Sequence, residues 1–375
     1  MIIENALVYC PDHTFTKKTV YVEKGKFAQS SDDNKIDAEG LYLVPGFIDI
    51  HTHGGNNIDV NHLSKENFAS LSAFFASVGT TSFLASVLTD TEENTLSLMD
   101  TLSKLTGCNE VGAELLGIHL EGPFISHEYK GAMPESLLRD PNIALIREYQ
   151  ERAKNTVKYL TLAPELPGSI DLIKAFKDEF AIAIGHSAAE YDTAMESIIE
   201  GAEACTHTFN AMKLFHMHRP AITGAVLESD VYCEAICDGF HLHPATVRLL
   251  LKTKGYDRVV AVTDSIMASG LPDGFYYLGS DEVKVENGDA KLLNGVRAGS
   301  TLTTIKALHN LVAFTSCPVE KVLPLLTENP AKLIRVFDKK GSIEVGKDAD
   351  FLLLDKDLNI VSVYVNGQVR FTKEK

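Results

Sequence analysis

Apolar positions along the chain change period twice. Toward the N-terminus, short strand-like pieces alternate with turns: Ile2–Val8, Thr19–Glu23, the tight Lys24-Gly25-Lys26, and Leu41–Val44. The C-terminal end behaves alike, with Gly341–Val345, Asp350–Leu354, Ile360–Val365, an Asn366-Gly367 hairpin turn and Gln368–Phe371. Between these ends, strand-like runs alternate with helical stripes. Eight runs are expected to be strands: Val44–Ile50, Thr80–Ser86, Leu115–His119, Val157–Leu162, Ala181–Ile184, Ala204–Thr206, Val231–Cys237 and Val259–Thr263. Ser64–Val78 shows the helical pattern: Ser64 caps, Glu66 sits in the first turn, Phe68, Leu71, Phe74, Phe75 and Val78 form a stripe, and Gly79 stops it.

Eight strand–helix units within about 290 residues predict an α/β fold, a (β/α)8 TIM-type barrel. The expected division is residues 45–337 for the barrel and residues 1–44 plus 338–375 for a small β-sandwich built from both chain ends. A doubly wound open sheet is the alternative, but no glycine-rich phosphate loop follows the first strand.

Barrel enzymes carry their chemistry at the C-terminal ends of the strands. There this chain places His51 and His53, His119 and Glu121, His186, His207, Asp238 and His241, and Asp264. Residues two apart on a strand project to one side, so His51 and His53 can face one ion. A lone histidine carries little weight, and His13, His62, His127, His216 and His309 are read as ordinary. Histidines and acids at six of the eight strand ends predict a metal centre instead. Imidazole and carboxylate donors without thiolate suit Zn, Fe, Co or Ni, whereas Ca or Mg would require more oxygen donors.

Composition narrows the partners. The 375 residues carry 35 basic and 51 acidic side chains, a net charge of −16, which disfavours nucleic acid and anionic membrane. No apolar run reaches the length of a membrane span, and no basic segment followed by an apolar block opens the chain. The six cysteines are scattered without a CxxC pair and read as reduced thiols of a cytoplasmic protein.

Several motifs carry a family resemblance. Pro45-Gly-Phe-Ile-Asp-Ile-His-Thr-His53 is similar to the opening motif of the amidohydrolase superfamily. Gly117-Ile-His-Leu-Glu-Gly-Pro-Phe124, Ala163-Pro-Glu165, Gly185-His-Ser187, Thr206-His-Thr-Phe-Asn-Ala-Met212, Asp238-Gly-Phe-His241 and Val262-Thr-Asp264 together resemble the N-acetylglucosamine-6-phosphate deacetylase family. The closing Gly341-Ser-Ile-Glu-Val-Gly-Lys-Asp-Ala-Asp-Phe351 fits the superfamily's return to its sandwich.

The resemblance implies that Glu121, His186 and His207 bind the main divalent metal, with His51 and His53 holding a second ion bridged by Glu121. It implies hydrolysis of an acetamide to amino sugar phosphate and acetate. Asp264 would take the proton of the metal-activated water and pass it to nitrogen, while His241 polarises the carbonyl. Substrate contacts are expected from Ala132, Met133, Asn210, Ala211, Asp238, Gly239, Phe240, Arg297, Ala298 and Gly299. A homodimer is also implied. Two departures bear on the substrate. Met133 stands where the family pattern has a histidine, and the phosphate-binding arginine is displaced into His216-Met-His-Arg-Pro220. Either His218 and Arg219 together take the phosphate, or the substrate is another N-acetylhexosamine, phosphorylated or not. A different amidohydrolase substrate and a non-catalytic barrel are the remaining alternatives.

Overall fold

The computed structural model describes residues 1–373, so the last two residues of the expected C-terminal module lie outside the described residues. Its centre is one eight-stranded parallel sheet in strict chain order. The strands are β1 (Phe47–Thr52), β2 (Thr80–Leu88), β3 (Glu114–Glu121), β4 (Val157–Leu162), β5 (Ala181–Ile184), β6 (Ala204–Cys205), β7 (Tyr232–Ile236) and β8 (Val259–Val262). Just beyond β8 the chain closes onto β1: Asp264 N donates to His51 O at 2.8 Å, and His53 N donates to Ser265 O at 2.7 Å. The eight expected strands are therefore present, and the sheet curls into a barrel through its loops as well as its strands.

Covering helices follow each strand: α1 (Lys65–Ser77), α2 (Glu92–Leu105), α3 (Ile143–Arg152), α4 (Ser169–Phe176), α5 (Tyr191–Glu200), α6 (Ala221–Glu228), α7 (Pro244–Lys254) and α8 (Thr304–Thr315). In α1, Asn67 Oδ1 reaches back to accept from Ser64 N at 2.8 Å, and Phe68, Leu71 and Phe75 are buried. Gly79, at φ 94°, ends that helix as its sequence predicts.

The first expected strand, Val44–Ile50, is in fact divided at Gly46. Tyr42–Pro45 belongs to an outer sheet and Phe47 begins the barrel. The cause is crowding, since a Cβ on Gly46 would lie 2.1 Å from Thr81 Oγ1. Ile2–Val8 divides similarly at Asn5, whose φ is 65°, sending Ile2–Glu4 and Leu7–Tyr9 into different sheets. Gly341–Val345 is not a strand. Gly341 is tucked so tightly that a Cβ would sit 2.8 Å from Ala331 Cβ.

Both chain ends meet in a six-stranded sheet, where Tyr42–Pro45 runs antiparallel to Phe351–Leu354. Asn366 and Gly367 turn with φ of 48° and 69°, as the Asn-Gly pair predicts. One element went unread: a three-stranded antiparallel sheet, Gly274–Leu278, Asp281–Glu286 and Asp289–Leu292, inserted after β8. Its Leu278, Val283, Val285 and Ala290 pack with Leu88, Ile125, Met133 and Ile266 beside the barrel mouth. Among the described residues, no helix is long and apolar enough to cross a membrane.

Candidate metal centre and active site

At the C-terminal mouth lies a cavity of about 490 Å³. His53, Glu121, His186, His207, His241 and Asp264 all face it. His51 is fully buried just beneath. Three of these side chains sit on unusual backbone: His186, His207 and Asp264 have φ of 47°, 25° and 49°. Non-glycine residues in the left-handed region are strained, and such strain concentrates where a side chain must be aimed. Each lies just past the end of its strand, so the kink turns the side chain into the mouth.

Two groups of donors converge on one carboxylate. Glu121 with His51 and His53, and Glu121 with His186 and His207, each bring their ligand atoms within 4.8 Å of one another. Glu121 Oε1 lies 3.1 Å from His186 Nε2 and 3.2 Å from His207 Nε2. Glu121 Oε2 is 3.2 Å from His53 Nε2, which is also 3.2 Å from Asp264 Oδ1.

The opposite ring nitrogens decide what these contacts mean. Nδ1 of His186 donates to Tyr129 O at 2.8 Å, and Nδ1 of His53 donates to Ser86 O at 3.0 Å. Nδ1 of His51 donates to Glu234 Oε2 at 2.9 Å. Three Nε2 atoms are thereby left as bare lone pairs pointing at carboxylate oxygens, or at one another. Acceptor facing acceptor at this range requires a cation or a borrowed proton between them. The carboxylates create that demand. Burial pulls the His51 and His53 values down, yet Glu234, Glu121 and Asp264 outweigh it, holding His53 at about 9 and His51 well above its ordinary range. Burial likewise opposes ionisation of Glu121, but the surrounding imidazoles hold its carboxyl well below the usual range. The donor set fits a divalent ion on both geometry and electrostatics.

His119, on β3 two residues before Glu121, takes no part. Its ring nitrogens lie 2.9 Å from Ser86 Oγ and Thr161 Oγ1 inside the barrel. Burial lowers its pKa well below the usual imidazole value, so it is a neutral packing group.

Of the expected substrate contacts, Ala132, Met133, Asn210, Ala211, Arg297 and Gly299 line the cavity. The others do not. Ala298 is buried in the apolar cluster under the inserted sheet. His218 and Arg219 stand exposed on a small turn closed by His216 N and Arg219 O, away from the cavity wall. Gly239 and Phe240 face solvent. Asp238 is spent internally: its carboxylate accepts from Phe240 N, His241 N and His241 Nδ1, the last at 2.7 Å, so it aims His241 rather than lining the cavity. Spacing identified these loops, but spacing alone could not show which face of each loop turns inward.

Four residues went unread. Glu234, buried in the middle of β7, accepts from both His51 Nδ1 and His207 N at 2.9 Å and so ties the two donor groups together. A lone acid within the apolar run Cys233-Glu-Ala-Ile236 was the available signal. Tyr129 fixes the ring of His186 through its backbone oxygen, which no side-chain pattern reveals. Lys130 and His127 line the cavity, and Lys130 brings a positive charge to it; His127 had been read as ordinary. Arg297 lines it too, although its guanidinium is engaged in a two-point pair with Asp289 at 2.9 and 3.0 Å.

Comparison with known proteins agrees with this geometry. The amidohydrolase family model matches residues 42–370. An N-acetylglucosamine-6-phosphate deacetylase of Bacillus subtilis is 36% identical over 379 residues, covering 100% of this chain and 95% of the relative. An N-acetylgalactosamine-6-phosphate deacetylase of Escherichia coli O157:H7 is 31% identical over 89% of this chain and 88% of its own. The crystal structure of N-acetylglucosamine-6-phosphate deacetylase from Thermotoga maritima superposes with a TM-score of 0.91 at 35% identity, covering 100% of both chains. The chain belongs to the amidohydrolase family, and its similarity within that family runs to the amino-sugar-phosphate deacetylases.

Proposed function

We propose that this protein hydrolyses the acetamide of N-acetylglucosamine 6-phosphate to glucosamine 6-phosphate and acetate. The observation that carries the reading is Asp264: its carboxylate faces the cavity 3.2 Å from a bare imidazole nitrogen of the cluster gathered around Glu121. Glu121, His186 and His207 would hold one divalent ion, and His51 and His53 together with Glu121 would hold a second; Zn, Fe, Co and Ni all suit the donors. Such an ion, when bound, acidifies water and polarises a carbonyl.

The chain's own groups supply the remaining chemistry. Burial raises the Asp264 carboxyl, but positive charge at His51 and a hydrogen bond from His53 outweigh it and hold the carboxyl below the ordinary carboxylate range; a bound divalent ion would supply that positive charge in place of protons on the two rings. Asp264 takes the proton of the attacking water and then delivers it to the amide nitrogen, because an amine departs where an amide anion does not. His241 is held by its Nδ1 contact to Asp238 at 2.7 Å, and its ring lines the cavity, where Nε2 is placed to meet the carbonyl oxygen as charge develops on it. Asn210 uses its amide N–H to bond His207 O and Thr208 O, which leaves its Oδ1 to accept from a sugar hydroxyl. Lys130, whose ammonium donates to Met133 O and has no carboxylate partner among the described residues, is the anchor for the 6-phosphate.

We include a homodimer in this reading: Leu214, Phe215 and Met217 are 61%, 57% and 75% exposed on one loop, an apolar face that a second copy would cover. The experiment is acetate release from N-acetylglucosamine 6-phosphate, its galacto epimer and the unphosphorylated sugar, with elemental analysis of the same sample. The gluco phosphate is expected to be preferred. A chelator should abolish turnover, and adding back Zn, Fe, Co or Ni should restore it. Release of ammonia, or turnover indifferent to chelation, would contradict the assignment.

A further inference from the structure

The catalytic cavity is not the only hollow on its side of the barrel. A second chamber of about 150 Å³ lies against it, and the two share four wall residues: Leu88, Ala132, Met133 and Leu278. Beyond that common wall the chamber is lined by Pro134, Leu137 and Gly279 and by the polar residues Asn61, His62, Thr89, Asp90, Asn94 and Ser280. We propose that this chamber is an extension of the acyl-binding subsite, separated from the reacting carbonyl by Met133, and that the protein removes N-acyl groups longer than acetyl from amino sugar phosphates. The inference rests on the deacylase reading given above.

The walls of the catalytic cavity divide by chemistry. Lys130, Asn210, His241 and Arg297 offer charge and hydrogen bonds, which suit a phosphate and sugar hydroxyls. Leu88, Ala132, Met133 and Leu278 offer only apolar surface, and they are the residues that back onto the side chamber. The apolar wall is also next to the reacting centre, because Leu88 is the ladder partner of Glu121 across β2 and β3. A carbonyl held beside Glu121 with its sugar toward the polar wall therefore has its alkyl end directed at Leu88 and Met133. The lining carries the Asp90 carboxylate and contains no lysine or arginine, which disfavours the carboxylate product there.

Met133 makes the partition adjustable. It is 4% exposed, its side chain belongs to the apolar cluster beside the mouth, and its backbone is held by Lys130, with Met133 N donating to Lys130 O at 3.0 Å and Lys130 Nζ donating to Met133 O at 3.1 Å. An unbranched thioether has three rotatable bonds and fills irregular gaps, so its terminal methyl can swing aside where a branched or polar side chain could not. One water occupies about 30 Å³ of liquid, so the chamber has space for several methylenes. The reaction itself is unchanged: water adds to the carbonyl carbon, the C–N bond breaks, a proton moves to nitrogen, and a longer carboxylic acid leaves in place of acetate.

The metal-loaded protein, with N-acetyl-, N-propionyl- and N-butyrylglucosamine 6-phosphate, tests this. Met133→Ala joins the two spaces and should raise the butyryl-to-acetyl ratio of kcat/KM by roughly tenfold or more, the scale of one methylene in an apolar pocket. Leu137→Phe fills the chamber from its far side, outside the catalytic cavity, and should lower the same ratio by roughly tenfold while acetyl turnover is unchanged. Ratios within about twofold of wild type in both variants would overturn the acyl subsite and leave the deacetylase reading intact. Absence of acetate release from the wild-type protein would overturn that reading, and the subsite with it.

Discussion

Strand β3 carries an acid at each end, half-buried at its start and buried at its finish, and the two have opposite fates. At its start, Glu114 meets the Lys340 ammonium at 2.9 Å, and Asp350 and Asp348 complete a closed cluster around that lysine. At its finish, Glu121 meets ring nitrogens from four histidines, three of them bare, with Asp264 nearby. The lower cluster brings its own cation; the upper one has acceptors and no lysine or arginine. A buried charge is tolerated only when paired. The lower end is therefore complete as folded and serves stability, whereas the upper end is left open for an ion and serves chemistry, the division of labour found between the two faces of such barrels.

The largest test of this contrast is Asp264→Asn. It preserves shape and removes the base, and turnover should fall by roughly 10³-fold with metal content unchanged by elemental analysis. Near-normal turnover would mean that the upper cluster does not use Asp264 as its proton carrier.

Next is Lys340→Met, which strands three acids at the lower end. A loss of about 3–5 kcal/mol in denaturant unfolding is expected, with turnover per folded molecule retained. Lys340 also makes stability depend on alkaline pH. Burial pulls its pKa down, but Asp350 and Glu114 more than reverse this and hold the ammonium above the ordinary range. The folded state thus keeps a proton that the unfolded chain releases near pH ~10.4. This stabilisation is complete below that pH and is lost as pH rises through the higher folded value. Lys340→Met should flatten that alkaline limb, and an unchanged limb would break the comparison.

The smallest expected effect is that of Glu234→Gln. It keeps one acceptor for His51 Nδ1 but removes the charge, and metal affinity should weaken by roughly 10–100-fold in a competition titration while far-UV circular dichroism stays the same. Unaltered affinity would show that the two donor groups do not depend on their shared buried acid.

Much of the site was legible before folding because strand periodicity and the barrel rule act locally. His51 and His53 share a side because they are two residues apart on β1, and Glu121 belongs at the mouth because β3 ends there. His218 and Arg219 do not line the cavity, a matter of loop direction, which depends on neighbours distant in sequence. The inserted sheet went unread although Val283 and Val285 alternate with charges before Asn287-Gly288, a hairpin signal overshadowed by the expectation of a helix after β8.

The chain's own order of residues thus determined the number of strands, the helices between them and the donor residues at their ends, since each follows from contacts within a few positions. Which donors share a centre was decided only by closure of the barrel, where Asp264 N binds His51 O and brings the two ends of the sheet together. The bare state of the ring nitrogens was likewise decided by distant partners: Glu234 for His51, Ser86 for His53 and Tyr129 for His186. A tautomer is fixed by whatever faces the opposite nitrogen, and packing alone sets that.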